Sequence, residues 1–391
     1  MANDNLSRAK SAKNDEFYTQ YPDIQAEMNA YYGFDHNVFR GKTVLLPCDD
    51  PEWSEFTRFF AQNFTFFGLK KLISTSYAFE SKNFPSETKP LYQASLFETE
   101  SVRYDADKSK THGKIFVLER DANCDGVFNV DDLEWDYLEW DGDFRSEEVT
   151  RLRDEADVIV TNPPFSLFRE FLAWVVEGGK EFALIGNMNA ITYKEVFPLI
   201  MENKIWLGAS GLMSDMVFGV PKGTEVKESD KLKAERLGYK GDYTRLGNSC
   251  WFTSLEHGKR HEPLQLMTMA DNLRYNKKLK GKDYPKYDNY DAIEVSYTDA
   301  IPSDYPGIMG VPISFLDKYC PEQFEIVGMC ENEDLYGLKT KVYDRMECQA
   351  AYLAKFGKRG TYDLNASGVL TVDGRQEKVY QRILIRHKGG K

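Results

Sequence analysis

Asp157-Val158-Ile159-Val160-Thr161-Asn162-Pro163-Pro164-Phe165 is the stretch whose reading decides the fold. Val158 to Thr161 are apolar or β-branched and make a short strand of the buried type. Asn-Pro-Pro stops it, and a helix over Leu167 to Glu177 follows, with Ser166 as its cap and Gly178-Gly179 as its stop. A loop between a strand and a helix, at the carboxyl end of the strand, is where open α/β sheets bind ligands. Asn162 offers a side-chain carbonyl there and Pro163 a main-chain carbonyl. Two acceptors facing both hydrogens of an aromatic amino group favour a more tetrahedral, more nucleophilic nitrogen. The prolines remove N–H donors and keep the loop extended, and Phe165 supplies a ring for stacking on a base. An ordinary Pro-Pro turn is the competing reading; the apolar strand before it and the aromatic after it favour the chemical one.

Working outward, the rhythm is strand then helix, which implies a mostly parallel sheet with helices on both faces. Lys42 to Leu46 and Lys71 to Tyr77 read as strands, with an amphipathic helix from Trp53 to Phe67 between them, closed by Gly68. A helix through about Tyr32 precedes the first strand. Ser146 with Glu147 and Glu148 starts a helix before the central strand. Glu181 to Gly186 and Ile205 to Gly208 read as further strands, and Thr192 to Glu195 has capping-box spacing for a helix to about Asn203, with Pro198 inside it. The expected organisation is a polar lead over 1–14, a catalytic domain over 15–208 with an insertion at 78–140, and a region over 209–391 from which some segments return to the core sheet. In that last region periodicity fades until a final strand at Gln381 to Ile385.

The 391 residues carry a net charge of −12 and are 42% hydrophobic. No run is long and apolar enough for a membrane span, and Met1 to Asp15 has no signal core. Six scattered cysteines without a CxxC pair fit a reduced, cytoplasmic protein. The acidic balance argues against nucleic acid as a partner, but it is uneven. Asp121 to Asp157 holds fourteen acids against three bases, whereas Pro221 to Tyr290 holds fifteen bases against ten acids. Arg274, Lys277, Lys278, Lys280, Lys282 and Lys286 cluster there. Such a run reads as a solvated loop, or, with Tyr275, Tyr284, Tyr287 and Tyr290 interleaved, as a nucleic-acid surface.

Three further stretches bear on chemistry. Pro47-Cys48-Asp49-Asp50-Pro51 follows the first strand. It is either an Asp/Pro turn or a set of carboxylates for a cationic, amino-acid-bearing cofactor. Asp143-Phe144 precedes the central unit; it is a solvated loop, or a carboxylate for an adenine amino group with a ring to cover it. Asp121, Asn123, Asp125, Asn129 and Asp132, with Gly126 between, have the spacing of an EF-hand calcium loop, with Leu133 to Trp140 as its exit helix. An acidic surface turn is the alternative. The five histidines form no HExxH pattern, which argues against zinc hydrolysis.

Longer patches carry a resemblance. Asp15-Glu16-Phe17-Tyr18-Thr19-Gln20-Tyr21, Cys48-Asp49-Asp50-Pro51, Gly142-Asp143-Phe144-Arg145-Ser146, Thr161 to Glu170, Ile191 to Phe197, Asn203 to Gly208 and Tyr284 to Ile293 resemble the EcoRI-type adenine-specific DNA methyltransferases, as do Gly310 to Ile313 and Pro321 to Glu325. The resemblance implies a Rossmann-like AdoMet-dependent methyltransferase fold with a C-terminal target-recognition region. It implies S-adenosylmethionine as cofactor, with Phe17, Tyr18, Thr19, Cys48, Asp49, Asp50, Asp143 and Phe144 at its site. It implies catalysis by Asn162, Pro163, Pro164 and Phe165 on N6 of an adenine flipped from double-stranded DNA, by a monomer, in a prokaryotic or phage-infected cell and in a restriction-modification context. Two features depart from related enzymes: the first loop lacks Gly-x-Gly, and the second strand ends in Ser74-Thr75-Ser76 with no carboxylate for a ribose. RNA adenine, cytosine N4 or a protein amide as acceptor, and a catalytically inactive DNA-binding relative, are the alternatives.

Overall fold

The computed structural model describes residues 17–48, 54–81, 94–212, 215–220, 224, 226–279 and 282–389. Asp49, Asp50 and Lys280 lie outside the described residues. The chain divides into two compact units. One holds the described residues up to Val196 together with Ile205–Gly258; the other holds Phe197–Lys204 and the described residues from Lys259 onward.

In the first unit a short β1 (Tyr18–Thr19) leads into α1 (Tyr21–Phe34). Then come β2 (Thr43–Leu46), α2 (Glu55–Gln62) and β3 (Lys71–Thr75). Every residue of β2 is buried. Ser54 caps α2 by accepting from Phe56 and Thr57 N–H, and Gly68 ends a following short turn of helix in the left-handed conformation (φ 64°) that favours glycine. The insertion contributes β4 (Lys114–Leu118) and β5 (Glu134–Tyr137). Next are α3 (Glu147–Glu155), capped by Ser146, then β6 (Val158–Thr161), α4 (Phe168–Glu177) and β7 (Glu181–Asn187). β8 (Trp206–Leu207), β9 (Val217–Gly219), α5 (Glu228–Arg236), β10 (Tyr243–Arg245) and β11 (Ser249–Thr253) complete the unit.

Eight of these strands form one sheet in the order β5-β4-β3-β2-β6-β7-β11-β8, and β1-β9-β10 form a small antiparallel sheet. In the large sheet β2 pairs in parallel with β3 and β6, and β6 with β7. The pairings of β4 with β3 and β5, and of β11 with β7 and β8, are antiparallel. The sheet is therefore mixed: β4 and β11 run against the other six strands. The chain leaves β2 on one side, through β3, and returns on the other through β6. The carboxyl ends of β2 and β6 consequently flank a topological switch point, the place where such sheets open a crevice. Phe56, Phe59, Phe60, Phe67 and Trp251 are among the wholly or nearly wholly buried side chains of the core on this sheet.

Three sequence expectations change. Leu133 to Trp140 does not make a helix: alternating Glu134, Trp135, Asp136 and Tyr137 form β5, with Trp135 buried. Ser166 is not a cap, because a 3₁₀ turn over Phe165–Leu167 intervenes and Leu167 occupies the cap position. The capping box at Thr192 is not formed either. Residues Met188–Thr192 are a 3₁₀ turn capped by Asn187, and the helix that follows is only Phe197–Met201, with Pro198 in its first turn, where a missing N–H costs nothing. The buried Glu27 of α1 ties that helix to the loop after β8, accepting from Ala209 N (2.6 Å), Ser210 N (2.9 Å) and Tyr31 Oη (2.6 Å). Gly208 must lack a side chain there, since a Cβ would lie 2.2 Å from Glu27 Oε1.

The second unit includes α6 (Met269–Tyr275), β12 (Ala292–Glu294), β13 (Ile308–Pro312), β14 (Phe324–Met329), α7 (Arg345–Phe356), the hairpin β15 (Val369–Val372) and β16 (Arg375–Lys378), and β17 (Arg382–His387). Its main sheet has the order β12-β13-β17-β14. A buried cluster locks it: Arg382 donates to both Glu294 oxygens (2.7 and 3.1 Å), and Tyr287 Oη donates to the same carboxylate. No described helix is long and apolar enough to cross a membrane.

Candidate active site

The loop after β6 is tied down at both ends. Thr161 Oγ1 donates to Pro47 O (2.6 Å), joining the carboxyl ends of β6 and β2 across the switch point. Asn162 Nδ2 donates to Phe17 O (2.7 Å). That bond fixes the amide's orientation, because a backbone carbonyl only accepts and so must face the NH₂ group. Asn162 Oδ1 is thereby turned the other way, and it is a buried acceptor with no hydrogen-bond partner among the described residues. Leaving such an atom unsatisfied costs about 1–3 kcal/mol. The Phe17 bond thus holds in place an acceptor that no described residue satisfies.

Aromatic rings line the same place. Phe165 stacks on Phe17 (centroids 5.7 Å, 29° between planes), and Phe218 of β9 meets Phe17 edge-on (5.9 Å). The pairing of β1 with β9 brings Tyr18 opposite Gly219 and Thr19 opposite Phe218. Phe17, Thr19, Pro47, Asn162 and Phe165 are therefore brought together from three distant stretches. Phe218 was not singled out from the sequence, and only the β1–β9 pairing reveals it. Thr19 is buried, and its Oγ1 is a second orphaned polar atom. Cys48 adopts φ 67°, a left-handed conformation that non-glycine residues seldom take. Cys48 thus takes, without being a glycine, a conformation that glycine adopts more readily.

Asp143 and Phe144 divide in role. The Arg145 guanidinium grips Asp143 with two bonds (Nε to Oδ1 2.9 Å, Nη2 to Oδ2 2.6 Å) and holds its carboxyl below the usual range. Arg145 also reaches Glu170 (3.2 Å). Phe144 is 3% exposed and packs on Phe171 (5.0 Å) and Trp174 (5.6 Å). Its ring fills the core beneath α4, so the expected ring-covering role does not fit.

The acidic loop of the insertion does not assemble a metal site. Asp121 accepts from Asp125 and Gly126 N–H, Asn123 from Asp125 N–H and Asp125 from Val127 N–H. Asn129 and Asp132 form a reciprocal capping box. Among the described residues no group of three or more His, Cys, Asp or Glu is placed to hold an ion. The calcium expectation finds no support in this arrangement, since Asx turns need the same residues at the same spacing.

In the second unit, Arg274 covers the ring of the exposed Tyr275 (5.1 Å). Lys278 pairs with Asp299 (2.8 Å), and Lys282 donates to Tyr297 Oη (3.1 Å). Lys277 is exposed, and Lys286 bridges to Ile293. Of the interleaved tyrosines only Tyr275 is a surface residue; Tyr284, Tyr287 and Tyr290 are buried in their own unit.

Comparison with known proteins bears on this geometry. A family model described as adenine-specific methyltransferase EcoRI matches residues 5–388. The chain is 41% identical over 332 residues to the type II methyltransferase M.EcoRI of Escherichia coli, covering 84% of this chain and 90% of that one. It is 35% identical over 345 residues to the type II methyltransferase M.MpnI of Mycoplasma pneumoniae, covering 87% and 91%. It is 31% identical over 386 residues to M.MgeORF184P of Mycoplasma genitalium, covering 97% and 98%. No solved structure gives a significant match.

Proposed function

Since the chain belongs to the EcoRI family of adenine-specific methyltransferases, and is thus a DNA methyltransferase, we propose that it moves the methyl group of S-adenosylmethionine to N6 of an adenine flipped out of double-stranded DNA. The orphaned Oδ1 of Asn162 is the observation that carries this reading. An amino group offers the donor that this atom lacks, and Pro163 O is the second acceptor. Phe165, with one face against Phe17, stacks on the flipped base through its other face.

The residues fit the cofactor. The buried Thr19 Oγ1, without a partner among the described residues, and the left-handed Cys48 lie close in sequence to Phe17 and Pro47, whose carbonyls accept from Asn162 and Thr161. When bound, the cofactor supplies a methyl group on a sulfonium sulfur. Asn162 and Pro163 hold N6 so that its lone pair points outward along the line of transfer. Transfer would form one N–C bond as one S–C bond broke, after which N6 would lose a proton to water. Because N6 would become positively charged, and so strongly acidic, as it takes up the methyl group, the loop needs no strong base. The exposed Arg274, Tyr275 and Lys277 support a contact with the DNA backbone.

The test is Asn162→Ala, with modified nucleosides identified by mass spectrometry after incubation with duplex DNA. The wild type yields N6-methyladenine; the variant loses at least about 100-fold in rate, the loss of roughly 3 kcal/mol seen when a preorganised hydrogen-bonding group is removed. It keeps its affinity for S-adenosylhomocysteine. Near-normal turnover by the variant, or N4-methylcytosine as the product, overturns the reading.

A further inference from the structure

A nucleoside bound at the crevice of an α/β sheet is held by a carboxylate at its ribose hydroxyls, placed about 20 residues beyond the first strand–helix turn. Here the turn is at Cys48, and the strand that follows it, β3, ends at Thr75, where such a carboxylate would be sought. The tip has no acid. Ser74 Oγ lies 2.9 Å from Thr57 Oγ1, and Ser76 Oγ accepts from Lys114 N (3.1 Å), so both serines serve the sheet. Thr75, wholly buried at the end of β3, has an Oγ1 without a partner among the described residues.

A different part of the chain is fastened over this tip. Ala78 N donates to Asp141 O (2.7 Å). Gly142, at φ 81°, lies so close that a Cβ on it would be 2.2 Å from Ser76 O. Gly113 crowds the same carbonyl: its Cβ would lie 2.5 Å from Ser76 O and 2.9 Å from Gly142 Cα. Three backbones therefore meet, and side chains are excluded from two of them. The Ala78 N–H bond to Asp141 O and the Asp143 N–H bond to Asp141 Oδ1 hold both acids on the segment fastened just beyond the tip, and in keeping with this the Tyr77 phenol is pushed up by burial and by both carboxylates. The two acids differ. Asp143 is neutralised by the two-pronged Arg145. Asp141 has no cationic partner among the described residues; its Oδ1 accepts only the Asp143 N–H (3.1 Å).

We infer that Asp141 is the ribose-binding carboxylate of this enzyme, delivered to the tip of β3 from the far side of the insertion rather than from β3 itself. Asp141 accepts hydrogen bonds from the vicinal hydroxyls of the cofactor's ribose, while Gly142 and Gly113 let its backbone close on Ser76. The assignment rests on the cofactor proposed above.

The test measures binding, not turnover. Wild type, Asp141→Asn and Asp141→Ala are titrated by calorimetry with S-adenosylhomocysteine and with its 2′,3′-dideoxy analogue. Charged hydrogen bonds of this kind are worth roughly 10- to 100-fold in affinity. The wild type should prefer the diol by that factor, and both variants should lose the preference while binding the dideoxy analogue as the wild type does. Asn keeps an acceptor for Asp143 N–H and so preserves the loop. Wild type that binds the two ligands equally overturns the assignment without recourse to any variant. So do variants that retain the preference or weaken both ligands alike. Failure of the wild type to bind S-adenosylhomocysteine at all would instead remove the cofactor reading on which it stands.

Discussion

Cys48 shows what a single residue holds in place. Its φ of 67° follows directly on β2, on the loop that Thr161 grips through Pro47 O. A left-handed non-glycine residue costs about 1–2 kcal/mol, and such strain persists where surrounding bonds over-determine the backbone. Replacement by glycine removes the strain but adds about 0.5–1 kcal/mol of unfolded-state freedom. The two nearly cancel, so Cys48→Gly should melt within a few degrees of the wild type. Cys48→Val puts a β-branched side chain in the disfavoured region and should melt clearly lower. Differential scanning calorimetry of the pair checks this; a Val variant as stable as Gly would show that the turn is not constrained. At the same scale, Asn162 explains why its residue type was legible. An amide carries its donor and its acceptor on separate atoms, so Asn162 donates to Phe17 O through Nδ2 and keeps Oδ1 as an acceptor, and that capacity could be read from the residue name. Its partner Phe17, 145 residues away in sequence, could not.

Elements set the limits of that legibility. The strands β2, β3, β6 and β7 were readable because each is a short apolar run buried on both faces, a composition that few other local structures share. β5 was not, because Glu134-Trp135-Asp136-Tyr137 alternates beside a loop that mimics a calcium site, and the mimicry pulled the expectation toward a helix. The Asp373-Gly374 turn of the β15–β16 hairpin, with φ of 50° and 74°, is a two-residue hairpin signal whose flanking strands, one mostly apolar and one wholly polar, lack the apolar alternation that would mark them as strands. Nothing local marks Gly142 as different from Gly126, although both lie in acidic loops at φ near 80°. The structure separates them, since a Cβ at Gly126 meets nothing within 4 Å while one at Gly142 meets the Ser76 carbonyl. Gly126→Ala should therefore cost only the backbone strain, about 1–2 kcal/mol. Gly142→Ala should cost at least about 2 kcal/mol more, because the close approach of two backbones must open. Chemical denaturation of both variants decides it: equal losses would mean that the loop over β3 yields freely.

The whole molecule carries a net charge of −12 yet is an enzyme of DNA. Binding must then depend on local positive charge, and in the segment singled out from the sequence Arg274, Lys277, Lys278, Lys282 and Lys286 are exposed, so the proposed contact with DNA is tested there. Each phosphate contact contributes about −0.9 to the slope of log K against log salt. Replacing Lys277 and Lys278 together by glutamine should flatten that slope by about 2 units across all DNA sequences, leaving sequence preference unchanged. An unaltered slope, measured by fluorescence anisotropy between 50 and 200 mM salt, would assign the contact to other residues.

One arrangement in the large sheet also governs how the protein is born. Thr43 N–H is bonded to the Asp157 carboxylate, 114 residues further along the chain, because β3, β4 and β5 are all laid down before β6 closes on the other side of β2. At about 5–20 residues per second of synthesis, one flank of β2 stays open on the ribosome for roughly 6 to 23 seconds. A strand that is wholly buried in the finished fold and still has an unpaired edge is a template for pairing with other chains. Yield of the native enzyme should accordingly be limited by how crowded the nascent chains are, and slower initiation or a cooler culture should raise it more than any change that stabilises the finished fold.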